Sequence, residues 1–159
     1  MSGKAIGTRA DYRWFVTLST RWMDNDVYGH VNNVQHYSFF DTAVARFLVE
    51  AGMFGDGALD LDSVPHVGLV VETQCRYFAP LAFPDTVTCG LRCARLGTSS
   101  IRYEIGLFRN ADETACAEGH FVHVYVDRRQ QSRTVPLPER LRAAVTGKLL
   151  PQPAAPPPA

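Results

Sequence analysis

The sequence predicts an α+β fold in which one long helix packs against an antiparallel sheet. Between Val34 and Gly52 the large apolar residues recur at steps of three and four, which is the period of a helix with one buried face. From His66 onward the period changes to two, and short turn sequences separate the successive segments. Sequential hairpins of this kind build an antiparallel sheet, and we expect about five strands in a single domain.

The long helix is defined by its apolar stripe, which consists of Val34, Tyr37, Phe40, Val44, Phe47, Leu48 and Ala51, widened by His36 and Phe39. Either Asn32 or Asn33 can cap the first turn by accepting a hydrogen bond from a free main-chain amide. Gly52 follows the last turn, where a left-handed conformation is open to glycine. We therefore expect a helix that begins near Asn33 and ends before Gly52.

The remaining elements follow from alternation and from turn residues. Aromatic and β-branched residues predict a first strand over 13–23, before the long helix. Glycine, proline and aspartate predict a loop after that helix, over 53–65. Four further strands are predicted over 66–78, 85–96, 101–108 and 114–126. A short helix is predicted over 138–147.

The length and the apolar content predict one domain. The chain has 159 residues, 46% of them apolar, which is enough for one well-packed core and too short for two ordinary ones. Residues 1–11 lack any period and are expected to fray. The domain itself is expected over 12–147, and the proline- and alanine-rich segment 148–159 is expected to be disordered.

Charge and cysteine content disfavour several classes of function. Sixteen basic and sixteen acidic side chains give a net charge of zero, so nothing favours nucleic acid or an anionic membrane as a partner. The four cysteines form no paired motif and lie in strand-like segments, which indicates reduced, buried thiols. No apolar run is long enough to span a bilayer, and the first residues do not resemble a signal peptide. A cytoplasmic protein is expected.

The acidic turn before the long helix holds the candidate chemistry. Asp26 lies a few residues before the first helical amides, and Gly29 allows the turn between them to be tight. Those amides have no partner within the helix and carry the positive end of its dipole, so they attract an oxygen that becomes negatively charged. A carboxylate beside such a helix end is suited to attack on a carbonyl. Alternatively, Asp24 and Asp26 serve only to form the turn.

No metal site is predicted. The acidic turn matches the first, third and sixth positions of a calcium-binding loop, but Tyr28 and Gln35 supply neither of the carboxylates that such a loop requires at positions five and twelve. His120 and His123 are three residues apart on a predicted strand, so they are expected on opposite faces of it.

The acidic turn resembles the motif of a known enzyme family. The residues Asp24-x-Asp26-x-x-Gly29-His30-Val31-Asn32-Asn33, followed by Tyr37 in an amphipathic helix, resemble the hot-dog-fold acyl-coenzyme A thioesterases of the 4-hydroxybenzoyl-coenzyme A thioesterase type. The resemblance extends over about residues 13–140. It implies a curved sheet wrapped around the long helix, with Asp26 as the catalytic carboxylate. It also implies that a main-chain amide near Asn33 polarises the thioester carbonyl.

The resemblance implies further residues at this site. His30 and Asn32 can orient a water molecule or the acyl group, and with equal weight they can cap the turn. Gly29 and Tyr37 are expected to contact the substrate. For Asp24, two roles are expected with equal weight: it forms or caps the turn, or it positions Asp26.

A second segment resembles the family's contact with coenzyme A. The segment 95–100 joins two predicted strands, and its glycine, hydroxyls and exposed amides suit a phosphate of the nucleotide arm. The residues expected to make this contact are Arg95, Gly97, Thr98 and Ser99. The alternative is an ordinary hairpin turn, which the same residue types favour. Residues 77–80 are expected to form a strand end and a dimer contact rather than part of the active site.

Together with the resemblance, the sequence predicts an acyl-coenzyme A thioesterase that uses no metal and no redox cofactor. Asp26 is expected to act as nucleophile or as general base. The family commonly forms homodimers and homotetramers, so we expect the pocket between the helix start of one subunit and the strands of its neighbour. Two alternatives stay open: a thioesterase acting on acyl carrier protein, and a non-catalytic acyl-thioester-binding protein with this fold.

Overall fold

Five antiparallel strands form one sheet, and a long helix packs across one face of it. The computed structural model describes residues 5–55, 60 and 62–151. The strands are β1 (Trp14–Ser19), β2 (His66–Tyr77), β3 (Thr86–Leu96), β4 (Ser100–Arg109) and β5 (Ala117–Asp127), and the helices are α1 (Asn33–Glu50) and α2 (Glu139–Lys148). The order in the sheet is β1-β3-β4-β5-β2, so β1 and β2 form its edges. The predicted α+β hot-dog arrangement is confirmed.

Helix α1 forms where the apolar period predicts it. The side-chain oxygen of Asn32 accepts from the Val34 amide at 3.1 Å, so Asn32 is the cap. Gly52 follows the last turn with φ 71°, a conformation that favours glycine. Val34, predicted in the stripe, is 62% exposed, because the buried face starts only at His36. Neither helix in the described part of the chain is long and apolar enough to span a bilayer.

The core lies between α1 and the sheet. Strand β3 buries one face, as the period of two predicts, with Val87, Cys89, Leu91 and Cys93. On β5, Gly119 leaves room for Phe40, since a Cβ atom at residue 119 would lie 2.3 Å from Cε2 of the Phe40 ring. The Phe40 and Phe121 rings meet edge to face with their centroids 6.0 Å apart. The first half of α1 is therefore held close to β5.

The first strand is shorter than predicted. β1 ends at Ser19, and a 3-10 turn over Trp22–Asp24 replaces the end of the predicted strand. The Asp24 carboxylate stabilises this turn, because Oδ2 accepts from the Arg21 amide at 2.6 Å and Oδ1 accepts from the Arg21 guanidinium at 2.8 and 3.0 Å. Asp24 is fully buried, and these contacts support the turn role that the sequence leaves open for it.

The segment before β1 is ordered, so the expectation of fraying is wrong for residues 5–11. The Gly7 amide donates to Glu118 Oε1 at 3.0 Å, and the Arg9 amide donates to the Glu113 carbonyl at 3.0 Å. Main-chain hydrogen bonds of this kind leave no periodic pattern of apolar residues, which is the signal that the prediction used. The first four residues lie outside the described residues.

The domain extends beyond its predicted end at residue 147. Helix α2 continues to Lys148, whose ammonium pairs with the Glu50 carboxylate at the end of α1. The side chain of Leu149 is fully buried in the core, and Leu150 packs against it. The predicted tail over 148–159 is therefore wrong for its first three residues, because leucines at the helix end reach the core. Its last eight residues lie outside the described residues.

The connection between α1 and β2 is only partly described. Its first residues form turns after α1, in agreement with the predicted loop over 53–65. Residues 56–59 and 61 of that predicted loop lie outside the described residues.

Candidate active site

The acidic turn and the start of α1 form one wall of an open groove of about 490 Å³. The other wall is the end of β2 and the residues after it. The lining residues are Asp26, Tyr28, His30, Val31, Asn33 and His36 on the first wall, and Tyr77, Phe78, Ala79, Pro80 and Leu81 on the second. The structure thus brings together Asp26, His30 and Asn33, the three residues that the sequence analysis places at the reaction centre.

Asp26 is half-buried, and main-chain hydrogen bonds fix its position. Its Oδ1 atom accepts from the Tyr28 amide at 2.8 Å, its amide donates to the His30 carbonyl at 2.9 Å, and its carbonyl accepts from the Gly29 amide at 3.1 Å. These bonds close a tight turn in which Gly29 has φ 79°. In the described part of the chain no donor contacts Oδ2, so that carboxylate oxygen is available to a ligand.

The Asn33 amide is the free donor at the start of α1. Its neighbours are engaged: the Asn32 amide donates to the Asp24 carbonyl at 2.8 Å, the Val34 amide to the Asn32 side chain, and the Gln35 amide to the Asn32 carbonyl at 2.9 Å. The described residues provide no acceptor for the Asn33 amide. A free amide at a helix start attracts negative charge, so it is suited to stabilise an oxyanion.

Strand β2 holds the helix start from the opposite wall. The Tyr77 hydroxyl donates to the Asn33 carbonyl at 3.1 Å, and the Tyr77 ring meets the His36 ring edge to face with centroids 4.9 Å apart. Burial raises the pKa of Tyr77 to about 12, so its hydroxyl stays protonated at neutral pH. Residues 77–80, expected to lie outside the active site, line the same groove as Asp26.

His36 is a groove residue that the sequence analysis assigns only to the apolar face of α1. It is 4% exposed, and its Nδ1 atom lies 3.3 Å from the Asn32 carbonyl. Burial lowers the pKa of His36 below its usual range, although main-chain contacts with Asn32 and Asn33 act in the opposite direction. The ring is therefore neutral at pH 7. The feature of the sequence that could have indicated this position is a histidine on an apolar stripe, one helical turn after the acidic turn.

Three predicted substrate contacts lie beside the groove rather than in it. Asn32 serves as the helix cap. Gly29 lines a neighbouring pocket together with Asp26. The Tyr37 ring packs against the Phe40 ring, with centroids 6.0 Å apart, and borders the core.

The predicted coenzyme A turn lies far from the acidic turn within one chain. Ser100, at the end of this turn, pairs with Val124 near the end of β5. Tyr77 of the groove pairs with Ala117, at the other end of the same strand. Within a single chain, the predicted nucleotide contacts therefore lie away from Asp26. The predicted contacts are Arg95, Gly97, Thr98 and Ser99.

The two strand histidines have different surroundings. His120 contacts the Glu72 carboxylate at 2.7 Å, whereas the His123 ring packs against the Tyr103 ring in the core, with centroids 5.3 Å apart. Within the described ranges, no group of three histidine, cysteine or acidic side chains is arranged to hold a metal ion.

Comparison with known proteins identifies the family. Residues 20–145 match the thioesterase-like superfamily, a range that includes the acidic turn, α1 and strands β2 to β5. The chain belongs to the thioesterase-like superfamily. The predicted family is confirmed. Membership of this thioesterase-like family supports thioester hydrolysis as the general activity of the protein.

Solved structures share the fold of this thioesterase-like protein. The PA5185 protein of Pseudomonas aeruginosa is 49% identical with a TM-score of 0.83, and the match covers 91% of this chain and 97% of that protein. The PA2801 protein, a proposed thioesterase from Pseudomonas aeruginosa, is 31% identical with a TM-score of 0.72, and the match covers 82% of this chain and 96% of that protein. The gentisyl-coenzyme A thioesterase BH1999 is 23% identical with a TM-score of 0.69, and the match covers 83% of this chain and 99% of that protein. At this identity the similarity is one of fold.

Proposed function

We propose that this protein hydrolyses acyl-coenzyme A thioesters to a carboxylic acid and free coenzyme A, with Asp26 as nucleophile or general base. The observation that carries the proposal is a carboxylate with one free oxygen in the same groove as the free Asn33 amide. Thioester hydrolysis needs a group that attacks or activates water and a donor that stabilises the oxyanion. One well-placed donor of this kind contributes roughly 3 kcal/mol in other acyl-transfer enzymes.

Coenzyme A is the proposed carrier because the acidic turn resembles that of acyl-coenzyme A thioesterases. The second wall of the groove is largely apolar, which suits an acyl group, and it consists of Phe78, Ala79, Pro80 and Leu81. Asp26 attacks the thioester or activates the water that does so, and the main chain stabilises the oxyanion, so the proposed reaction requires neither a metal ion nor a redox cofactor.

We propose that the complete site includes a second copy of the chain. β2 is an edge strand on which Val70 is 46% and Val71 is 60% exposed, and such an edge favours pairing with another strand. The groove and the 97–100 turn lie toward opposite ends of β2. Antiparallel pairing of two β2 strands about a two-fold axis would bring the turn of one subunit toward the groove of the other. A homodimer, or a homotetramer of two such pairs, would then supply the nucleotide contacts.

The test is cleavage by the wild type and by Asp26→Asn, which keeps the shape of the side chain and removes its charge. A panel of aliphatic and aromatic acyl-coenzyme A thioesters is assayed by release of free thiol, with acyl carrier protein thioesters in parallel. We expect the wild type to cleave at least one coenzyme A thioester and the variant to be roughly 100-fold slower or worse.

Asp41→Asn is the matched control, since Asp41 is an exposed acid of α1 that does not line the groove. Unchanged turnover by Asp26→Asn would remove Asp26 from the mechanism. Cleavage of acyl carrier protein thioesters alone would show that the proposed carrier is wrong.

A further inference from the structure

His36 is a buried titratable side chain that the proposed reaction leaves without a role. It lines the groove of about 490 Å³ together with the other titratable groups that face it. These are Asp26, Tyr28 and His30 from the acidic turn and Tyr77 from β2.

A main-chain contact determines which nitrogen of the His36 ring carries the proton. The Nδ1 atom lies 3.3 Å from the Asn32 carbonyl, which can only accept, so Nδ1 is the donor. The ring is held from the side by the Tyr77 ring at a centroid distance of 4.9 Å and by the Phe39 ring at 6.4 Å. These contacts fix both the tautomer and the orientation of the ring.

The second ring nitrogen, Nε2, retains some access to solvent, and His36 lines the groove. Among the described residues, Nε2 has no hydrogen-bond partner. It is also not fully buried, in contrast to the buried atoms without a partner, which are Tyr103 Oη and both ring nitrogens of His123. Because the proton resides on Nδ1, Nε2 offers a lone pair to the groove. Burial keeps the pKa of His36 low, so this lone pair is present at neutral pH.

We propose that Nε2 of His36 is the proton acceptor for the water molecule that completes hydrolysis. The proposal rests on the thioesterase function proposed above, and it gives Asp26 the role of nucleophile. A site with two bases can divide the work in this way, because the free Asp26 oxygen attacks the substrate and the neutral imidazole activates water.

In the first step, Oδ2 of Asp26 bonds to the thioester carbon, the carbon–sulfur bond breaks, and the coenzyme A thiolate leaves. The product is a mixed anhydride of the acyl group and Asp26. In the second step, the water oxygen bonds to the acyl carbon while its proton passes to Nε2 of His36. The bond between the acyl carbon and Asp26 then breaks and restores the carboxylate. His36 gives its proton to the thiolate by way of solvent, so one water yields one acid and one free thiol.

His36→Asn is the variant that tests this role. An asparagine amide can still donate to the Asn32 carbonyl in place of Nδ1, but it has no atom at the position of Nε2. We expect a burst of about one thiol per site, followed by a steady-state rate roughly 100-fold below that of the wild type. Mass spectrometry of quenched samples should show Asp26 carrying the acyl group. A purely structural role would slow the reaction without a burst and without this adduct.

The control is Asp41→Asn, an exposed position of α1 that does not line the groove, and it should keep the wild-type rate. A His36→Asn protein that matches the wild type, or that slows without an acyl adduct, overturns the proposal and leaves the thioesterase function in place. A wild type that cleaves no thioester of the panel overturns both. If His36→Asn does not fold, the ¹⁵N shifts of His36 in the wild type decide. Protonation on Nδ1 at pH 7 is expected, and protonation on Nε2 overturns the proposal.

Discussion

The hydroxyl of Tyr77 donates to the carbonyl of Asn33 at 3.1 Å and so ties the end of β2 to the first turn of α1. This contact joins the two walls of the groove at the residue whose amide is free. Partial burial raises the pKa of Tyr77 to about 12, further above the neutral range than that of a free tyrosine, so the hydroxyl is a donor at neutral pH. The geometry of the proposed oxyanion donor therefore depends on a residue of the sheet.

Tyr77→Phe keeps the ring contact with His36 and removes only this hydroxyl. We expect thioester hydrolysis to slow by roughly 5- to 10-fold, the equivalent of one hydrogen bond of about 1 kcal/mol. Because Tyr77 is 45% exposed, the free energy of unfolding should change by less than about 1 kcal/mol. Steady-state kinetics and urea unfolding of the same preparation measure the two effects. Wild-type kinetics would show that the hydroxyl does not position the Asn33 amide.

Gly119→Ala is expected to destabilise the fold. The added Cβ would lie 2.3 Å from the Phe40 ring and 2.2 Å from the Gln74 carbonyl, so β5 would have to move away from both α1 and β2. Overpacking of this kind reduces the free energy of unfolding by about 1–3 kcal/mol. Gly147→Ala in α2 is the matched control, because nothing lies within 4 Å of its added Cβ. It should raise the free energy of unfolding by about 0.5–1 kcal/mol. Equal stabilities of the two variants in urea would contradict the packing described for Gly119.

The elements that could be predicted are those whose signal lies within one segment. The stripe of α1 and the alternating residues of β3 depend on local period. The predicted face of β3 is buried, and so is most of the α1 stripe, with Val34 as its exposed member. Likewise, Asp26, His30 and Asn33 are close in the chain, so a motif over ten residues is enough to bring them together. Segments held by main-chain or end-of-helix contacts, such as residues 5–11 and Leu149, carry no period and were mispredicted.

The part of the site that could not be predicted depends on residues far apart in the chain. Tyr77 reaches the helix start across 44 residues, and nothing in its own segment indicates that contact. His36 lies on an apolar stripe, where a histidine is most simply a core residue. Its position in the groove depends on β2, which forms the opposite wall. The sequence therefore predicts the acidic half of the groove and misses the half that the sheet supplies.

Asp24→Ala is expected to loosen the acidic turn without removing a reacting group. The buried Asp24 carboxylate accepts three hydrogen bonds from Arg21, and its loss leaves the Arg21 amide without an acceptor. We expect the free energy of unfolding to fall by about 2 kcal/mol, the range for hydrogen bonds to a charged group. Asp41→Ala, at an exposed position of α1, should change it by less than about 0.5 kcal/mol. Equal losses in the two variants would contradict the structural role of Asp24.

His123 should make the fold sensitive to mild acid. The ring is 5% exposed, and both of its nitrogens lack a hydrogen-bond partner in the described structure. Burial lowers the pKa of His123 from 6.5 to about 4. Between those two values the unfolded chain binds a proton that the folded chain does not bind. The free energy of unfolding should therefore be fully retained above pH 6.5 and decline as the pH falls toward 4.

His123→Phe isolates this effect from the titration of carboxylates, which the wild type and the variant share. A pKa difference between 6.5 and about 4 corresponds to roughly 3 kcal/mol, so the stability of the wild type relative to the variant should fall by up to that amount across this range. Urea unfolding at half-unit steps of pH measures the difference. Between pH 7.5 and 8.5 the two curves should run parallel, because the imidazole is neutral in both the folded and the unfolded chain. Parallel curves down to pH 4 would mean that His123 becomes protonated as readily in the folded protein as in the unfolded chain.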